Sequence, residues 1–505
     1  MHPPKAARPP VTRCARAACG AGVIRVVVFF VVFGVVALAS TSVRASAQAG
    51  PPIPVAGPPI VQVGDGPTTT VDATAVPSTP TVPASASITS PSAPTTAPTV
   101  GPTVMPTVMP TTSPAPTSLP GSRAAAKATS MPATTVAELR AQITTALTDA
   151  RTVSIGVFVT VDGGAALFER EPDVPRIPAS TQKLYVAAVA LNRLGADHRF
   201  VTDVRSTASV GVGGVLAGDL VLRASGDPSF GTAQLRSLAD GIVRSGVRRV
   251  DGGLVVDDSR FDATTRVDSW KAAFSPGEVG LLDAFSVDGN HRPAADAGLA
   301  NLELFRAALT AKGVTVAGIS SRGSSPTGPV LASVESAPLR DIVGHMLKKS
   351  DNTYAELLVK ELGATAGPGS TSSGVRAIAA EFARLGVAAP QQIDGSGLSA
   401  LNRSTPRQQV QWLQRTSGSG ADLRASLSGA CVDGTLRSRM CRSAAAANVI
   451  AKSGAIDNVV GLAGYATTAS GRKVTFSFLL NDVRSSARAR AAIDHAMIAV
   501  TTAVV

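Results

Sequence analysis

Hydrophobic positions divide this 505-residue chain into three unlike parts. An uninterrupted apolar run covers residues 26–39. Residues 51–120 contain no Phe, Trp or Tyr and hold 18 of the 35 prolines together with 15 threonines. From about residue 136 onward, apolar positions recur with the spacings of helices and strands. The pattern therefore predicts a leader, a spacer and a folded part, in that order.

In four stretches of the folded part, the spacing of apolar residues predicts a helix or a strand. Residues 184–194 are nearly all apolar, which predicts a helix buried around most of its circumference and stopped by Gly195. Residues 342–363 have amphipathic helical patterns on both sides of a polar tripeptide. Residues 459–468 and 473–480 predict two antiparallel strands joined by a short turn.

The leader predicts export. Residues 1–47 carry six basic residues and no acid, and the apolar run is followed by the small-residue segment Ala-Ser-Ala at 45–47. This order is typical of a cleaved secretory signal. An uncleaved anchor is the alternative, because 18 residues separate Arg25 from Arg44 and a spanning helix needs about 20. Both interpretations place the rest of the chain in the cell envelope, outside the cytoplasm.

The Pro/Thr-rich segment 48–135 is expected to be disordered. It has too little apolar surface to offset the entropy lost when a backbone is ordered. Its proline content favours extended stretches of about 3.1 Å per residue. We interpret it as a tether that gives the folded part reach.

Composition excludes several classes. About 370 residues follow Thr135, enough for a large core, and the chain has no second long apolar run that would predict a multi-pass membrane protein. The net charge is +12, from 47 Lys+Arg against 35 Asp+Glu; without the six basic residues of the leader it is 41 against 35, or +6. The arginines are scattered, and no recognition motif accompanies them. We expect no nucleic-acid partner.

Cysteine usage agrees with export. Outside the leader only Cys431 and Cys441 remain, and an oxidising compartment favours a disulfide between them. The histidines are widely spaced, and neither HExxH nor CxxC occurs. We therefore expect no metal or organic cofactor.

Three short motifs carry candidate chemistry. Ser180 and Lys183 lie three residues apart at the start of the apolar helix, so both side chains share one face. This geometry suits a serine nucleophile whose proton is taken by a lysine. The lysine must be neutral, which burial and a nearby cation can achieve by lowering its pKa. The spacing alone is not specific, because Ser470 and Lys473 repeat it at a turn that we expect to be a solvated hairpin tip.

The other two motifs are Ser350-Asp351-Asn352, at a predicted helix junction, and Lys452-Ser453-Gly454, on a predicted strand. Either one alone is unremarkable. In the order Ser-x-x-Lys, Ser-Asp-Asn and Lys-Ser/Thr-Gly, the three form the constellation of penicillin-binding proteins and serine β-lactamases.

More of the chain resembles one family of these proteins, the D-alanyl-D-alanine carboxypeptidase/endopeptidase family of low-molecular-mass, class C penicillin-binding proteins with an inserted domain. The likeness covers most of 140–505. The segments that carry it, beside the three motifs, are Gly226-Asp227-Pro228, Asp394-Gly395-Ser396-Gly397-Leu398-Ser399 and Asp433-Gly434-Thr435-Leu436.

The resemblance implies an α+β fold. Its β-lactamase/transpeptidase-like core, an antiparallel sheet flanked by helices, is expected to comprise 136–198 and 299–505. Residues 199–298 look strand-rich and turn-rich and are expected to form the inserted domain, with the chain returning to the core near Ala300.

The resemblance also implies the reaction. Ser180 would attack the carbonyl of the penultimate D-alanine of a peptidoglycan stem peptide, and Lys183 would accept its proton. The backbone N–H groups of Ser180 and Ala455 would form the oxyanion hole. Ser350 and Asn352 would relay a proton and hold the substrate amide. β-Lactam antibiotics would acylate the same serine.

The remaining implied roles concern substrate binding. Lys452 and the Ser453 hydroxyl, next to Gly454, would bind the terminal carboxylate of the substrate. Asp227 would meet a side-chain amine. Two departures stand out: the family usually has Lys-Thr-Gly where this chain has Ser453, and many relatives have an arginine where this chain has Ala400.

Two other functions remain open from the sequence. A serine β-lactamase uses the same acyl-serine but must deacylate fast, and a diffusible one needs neither a tether nor a long insertion. A non-catalytic wall-binding protein could keep the fold. The sequence does not choose between carboxypeptidase and endopeptidase action, because both cut a bond that follows a D-alanine.

Overall fold

The computed structural model describes residues 133–161, 164–365, 367–417 and 421–505. The predicted signal or anchor at 1–47 and the spacer up to residue 132 lie outside the described residues. Within the described ranges, no helix combines the length and the apolar character needed to cross a bilayer.

The first sheet has six strands, and every neighbouring pair is antiparallel. Its strands in chain order are β1 (Ser154–Val161), β2 (Ala166–Arg170), β11 (Ser428–Gly429), β12 (Ile450–Ile456), β13 (Val459–Thr467) and β14 (Lys473–Asn481). Their spatial order is β11-β12-β13-β14-β1-β2. The two strands predicted around the turn at 470 are confirmed as β13 and β14, which pair in continuous register.

Helices cover both faces of this sheet, which explains why nearly every residue of β13 and β14 is buried. The ten helices in the described residues are α1 (Val136–Thr148), α2 (Lys183–Leu194), α3 (Thr232–Arg244), α4 (Ala297–Ala311), α5 (Leu339–Lys349), α6 (Asn352–Gly363), α7 (Thr371–Arg384), α8 (Pro406–Thr416), α9 (Ala421–Ser426) and α10 (Ser486–Thr502). On one face, α1 and α10 share a hydrophobic core with the sheet. On the other, α2 is the centre of a second core that includes residues of α5 to α8.

A second sheet has the order β10-β3-β5-β7-β9. Three very short strands form a separate parallel ribbon in the order β4-β6-β8. The strands of both are β3 (Val201–Arg205), β4 (Val215–Leu216), β5 (Leu220–Arg223), β6 (Arg249–Val250), β7 (Leu254–Asp257), β8 (Thr315–Val316), β9 (Ser320–Arg322) and β10 (Val330–Glu335).

The insertion expected at 199–298 ends inside this second sheet, because β9 and β10 lie beyond residue 298. The chain does not return to the catalytic core near Ala300. Residues Leu302, Phe305 and Leu309 of α4 are buried in the core of the second sheet. An apolar helical pattern cannot tell which sheet covers it, and here it is the second. We propose that the inserted unit extends from about residue 199 to 336.

Candidate active site

Ser180 lies on a single 3-10 turn, Ala179–Gln182, that leads directly into α2. This turn, not the α-helix itself, presents the serine. Two glycines let other segments approach its backbone. A Cβ on Gly397 would collide with the carbonyl oxygen of Ala179, and a Cβ on Gly454 would lie 2.9 Å from that of Pro178. The serine is therefore held between β12 and the loop that carries Gly397.

The Lys183 ammonium is fully buried beside the serine. Its Nζ donates to three acceptors, Ser180 Oγ at 2.9 Å, Asn352 Oδ1 at 2.7 Å and the carbonyl oxygen of Ser396 at 2.7 Å. The predicted pair Ser180–Lys183 is thus in hydrogen-bonding contact. Asn352, which lies 169 residues away in the chain, joins it.

Burial lowers the pKa of Lys183 from its usual value to about 8. The negative charges of Glu356, Asp394 and Asp351 oppose this shift. An amine with a pKa of about 8 is neutral in roughly one molecule in ten at pH 7 and in half of the molecules at pH 8. Only the neutral amine can accept a proton.

The Ser350-Asp351-Asn352 motif forms the junction between α5 and α6. Ser350 closes α5 in the left-handed conformation, with φ 61°. The Asp351 carboxylate caps α6 by accepting from the Tyr354 N–H at 3.0 Å. The sharp change of direction separates the Ser350 hydroxyl from the Asn352 amide, which begins the next helix, so the two side chains can meet different lysines.

Lys452, on β12, is a second fully buried lysine at this site. Its Nζ donates to Ser350 Oγ at 2.9 Å and to the carbonyl oxygen of Ser453 at 2.7 Å. Burial, and next the charge of Lys183, hold the pKa of Lys452 well below its usual value. Lys183 contacts Asn352 and Lys452 contacts Ser350, so both lysines meet the Ser-Asp-Asn segment and the three motifs lie in a single site.

The edge of β12 is open where the predicted oxyanion group lies. β11 pairs only with Ile450 and Ala451. The Val449 carbonyl accepts from the Ala430 N–H on this edge. Because backbone groups alternate between the two sides of a strand, the Ala455 N–H points toward the same edge, beyond the end of β11. The Ser453 side chain donates from Oγ to Thr435 Oγ1 at 2.8 Å.

Two buried carboxyl groups support the Lys183 side of the site and were not among the predicted residues. Glu356 Oε1 accepts from the N–H groups of Gly395 and Ser396 at 3.0 and 2.6 Å. Asp394 accepts from the Gly397 N–H at 2.9 Å. Burial, with the nearby charge of Asp394, raises the pKa of Glu356 to about 8. One signal could have found Glu356: it follows Asn352 by four residues, which places both on one face of α6.

Asp227 lies apart from this cluster. It is buried, and its Oδ1 accepts from the Ser229 N–H at 2.8 Å and the Ser229 hydroxyl at 2.6 Å. Burial raises its pKa. Burial, followed by the charges of Asp351 and Asp227, raises the pKa of Tyr354 to about 12.

Other candidate features lie elsewhere. Ser470 is at the exposed turn between β13 and β14, where its hydroxyl donates to the Val505 carbonyl at 2.7 Å. A cleft of about 680 Å³ is lined by residues such as Arg223, Arg260 and Glu361 and contains none of the predicted site residues. Across the described ranges, no cluster of three or more His, Cys, Asp or Glu could hold a metal ion.

The family model and the similar proteins agree on one family. The model of the family described as "D-Ala-D-Ala carboxypeptidase 3 (S13) family" matches residues 139–277 and 285–504. A D-alanyl-D-alanine carboxypeptidase of Actinomadura sp. is 30% identical over 419 residues, which covers 65% of this chain and 78% of the relative. A carboxypeptidase of Mycobacterium tuberculosis is 32% identical over 366 residues, covering 64% of this chain and 75% of the relative.

Among solved structures, penicillin binding protein 4 from Haemophilus influenzae has a TM-score of 0.64 at 23% identity, covering 68% of this chain and 94% of that chain. This likeness shows a shared fold and confirms the predicted α+β class. The same protein complexed with a β-lactam has a TM-score of 0.58 at 25% identity, with the same coverage.

Proposed function

Since this chain belongs to the D-Ala-D-Ala carboxypeptidase 3 (S13) family, we propose that Ser180 is the nucleophile of its reaction. The chain is a serine-type D-Ala-D-Ala carboxypeptidase of the penicillin-binding class, as the sequence predicted. One observation carries the assignment of the nucleophile: a buried amine with a lowered pKa, Lys183 Nζ, lies 2.9 Å from Ser180 Oγ.

In the acylation step, Lys183 takes the proton of Ser180 as Oγ bonds to the carbonyl carbon of the penultimate D-alanine. The oxyanion that forms would accept from the N–H groups of Ser180 and Ala455. The open edge of β12 at Ala455 supports this role. The carbonyl re-forms when the bond to the terminal D-alanine breaks, and the leaving amine takes the proton that Lys183 had accepted. Water then hydrolyses the acyl-enzyme.

In this reaction we assign one lysine the charged role and the other the neutral role. Two ammonium groups buried close together cannot both stay charged at little cost, because burial and mutual repulsion disfavour the doubly charged state. The carboxylate of a bound substrate, placed beside Lys452 and Ser453, favours the charge on Lys452. Lys183 is then the neutral member of the pair and is ready to accept a proton.

The substrate is the stem peptide of peptidoglycan, and β-lactams compete for the same serine. Asp227, buried and with an acceptor oxygen to spare, suits the amine of a substrate side chain. The enzyme acts outside the cytoplasm, in the cell envelope, and we propose that the N-terminal apolar run 26–39 either directs export and is cleaved or stays as a membrane anchor.

Labelling with fluorescent penicillin tests the nucleophile. Ser180→Ala should abolish covalent labelling, because the attacking oxygen is gone while the fold of the turn is kept. Ser470→Ala is the matched control, since Ser470 has the same Ser-x-x-Lys spacing but lies at an exposed turn. It should label like the wild type on a denaturing gel.

Two outcomes would contradict the assignment. Labelling that persists in Ser180→Ala would assign the acylated serine elsewhere. A folded wild type that no penicillin labels would leave the chain with the family fold but without its chemistry.

A further inference from the structure

A disulfide-closed loop beside the site has no part in the mechanism so far. Cys431 and Cys441 are joined, and the ten-residue separation encloses the Asp433-Gly434-Thr435-Leu436 segment. The Thr435 side chain lies half-buried in this loop, and its Oγ1 is 2.8 Å from Ser453 Oγ.

The loop is firmly held in this position. The Leu436 side chain is fully buried, and its carbonyl accepts from the Cys431 N–H at 2.9 Å. The Asp433 carboxylate pairs with Lys348 of α5 at 2.8 Å. Gly434 has φ +54°, and a Cβ there would collide with the hydroxyl of Ser428. The Thr435 hydroxyl is therefore positioned by the structure around it, and the disulfide closes that structure.

The hydrogen-bond direction leaves one donor free. Ser453 donates to Thr435, so the Thr435 O–H remains for another acceptor, and none of the hydrogen bonds within the described residues uses it. The serine at 453 has no Cβ branch to restrict its rotamer, so the contact with Thr435 also orients its hydroxyl. The result is a chain of two hydroxyls 2.8 Å apart, next to Lys452 in sequence, in which Ser453 donates to Thr435 and the Thr435 O–H is left to donate to one oxygen of a carboxylate.

We propose that Thr435 is a substrate-binding residue, whose hydroxyl donates to one oxygen of the terminal carboxylate of the substrate and is oriented for this by the hydrogen bond that it accepts from Ser453. The proposal rests on the proposed function, because it names a further group for the same reaction. The loop 431–441 thereby becomes part of the substrate site, with the disulfide as the element that holds Thr435 in place.

A substrate pair that differs only in the carboxylate tests this role on the full-length protein. The rate of Ser180 acylation is measured with benzylpenicillin and with its methyl ester. Thr435→Val should lower the rate constant for the free acid by about tenfold or more, the size expected for one hydrogen bond to a charged group. It should leave the rate for the ester within about twofold, since the ester has no charge to bind.

The controls separate binding from structure. Thr435→Ser keeps the hydroxyl and should restore the preference for the acid. Equal losses for acid and ester, or no loss for either, would overturn the role of Thr435. A wild type that is not acylated at Ser180 would overturn the proposed function itself, and this proposal with it.

A second measurement needs no substitution. The two cysteines are exposed, so a reductant can reach them in the folded protein. Reduction should lower the ratio of acid to ester rates because the loop loses its closure. An unchanged ratio after complete reduction would contradict the role of the disulfide. Should Thr435→Val not fold by circular dichroism, Thr435→Ala against Thr435→Ser gives the same comparison.

Discussion

Lys183 and Lys452 are central to the proposed chemistry, because each is fully buried and each has neighbours that affect its charge. Lys183 contacts Ser180, the proposed nucleophile, and three carboxyl groups partly stabilise its charged form. Lys452 has no carboxylate among the causes of its shift, and both burial and Lys183 lower its pKa. The free site thus resists double charging until a substrate carboxylate arrives.

The lowered pKa of Lys183 predicts a pH profile. The amine accepts a proton only when neutral, so the second-order rate of acylation by penicillin should rise with pH through about 8 and then level off. This rate reports the free enzyme, in which the pKa is set by burial. Stopped-flow acylation between pH 6 and 10 is the measurement, and a profile flat through this range would contradict Lys183 as the base.

Glu356 should tune that profile as a positioning residue. Its own pKa of about 8 means that Glu356 becomes negatively charged over the same pH range in which Lys183 loses its proton. That charge raises the pKa of Lys183, so Glu356→Gln should move the midpoint of the rise toward lower pH, chiefly by changing the upper part of the profile. The amide oxygen can still accept from the Gly395 and Ser396 N–H groups. Glu303→Gln, on the exposed side of α4, is the matched control and should leave the midpoint unchanged. A shift of the Glu356→Gln midpoint toward higher pH would contradict the electrostatic argument.

At the residue scale, sequence reasoning reached the residues that lie in short motifs and missed those that act across the fold. Ser180 and Lys183 are three apart, and Ser350 and Asn352 are two apart, so local spacing could pair them. The Ser396 carbonyl meets Lys183 across 213 residues, and a backbone oxygen has no sequence signature. Thr435 meets Ser453 only because a loop and a strand edge pack together.

At the scale of elements, two glycines allow neighbouring segments to pack against the backbone of the turn that carries Ser180. Gly397 and Gly454 belong to different segments, and each brings a backbone against the turn where a side chain would collide. The site is thus built by close packing of backbone, which the hydrophobic pattern of helices and strands does not describe.

Gly397→Ala should therefore remove acylation. Its Cβ would collide with the carbonyl oxygen of Ala179, the residue before Ser180, and its φ of +84° disfavours any side chain. Gly386→Ala is the matched control, because its φ is +65° but no atom lies within 4 Å of the added Cβ. We expect Gly386→Ala to cost about 1 kcal/mol of unfolding free energy and to acylate normally. Penicillin labelling and urea denaturation of both variants give the answer; normal labelling of Gly397→Ala would show that the turn can move aside.

The helices and strands were easier to predict than the surfaces against which they pack. The alternating pattern around residue 470 predicted β13 and β14 correctly, because one period and one turn are local properties. The apolar face of α4 was equally visible, but the pattern did not reveal that Phe305 and its neighbours pack on the second sheet. Hydrophobic pattern shows that a face is buried and leaves the burying surface undetermined.

At the scale of the whole molecule, the chain between β7 and α4 reaches from the second sheet to the active site. The Trp270 indole N–H donates to buried Asp394 Oδ2 at 2.9 Å. The carbonyl oxygen of Glu278 accepts from Asn352 Nδ2 at 2.8 Å, and the Gly280 N–H donates to Thr353 Oγ1 at the same distance. The segment between β7 and α4 thus donates hydrogen bonds to Asp394 and Thr353 and accepts one from Asn352, which contacts Lys183.

Trp270 and Lys271 are neighbours in this segment, but Trp270 makes a buried hydrogen bond and Lys271 an exposed ion pair. Substituting each one tests which contact couples the inserted part to the active site. Trp270→Phe keeps an aromatic ring but leaves a buried carboxylate oxygen without its indole donor, which should cost about 1–3 kcal/mol of unfolding free energy. Since Asp394 also accepts from the Gly397 N–H, the loop that carries Ser396 should loosen and acylation should slow a few-fold. Lys271→Ala removes an exposed ion pair with Asp457, worth under about 1 kcal/mol, and should acylate normally. Urea denaturation and acylation rates of the two variants decide the matter. A larger loss of stability and acylation rate in Trp270→Phe would show that the buried hydrogen bond to Asp394 makes acylation depend on the inserted part. A larger loss in Lys271→Ala would contradict this and assign the dependence to the exposed ion pair with Asp457.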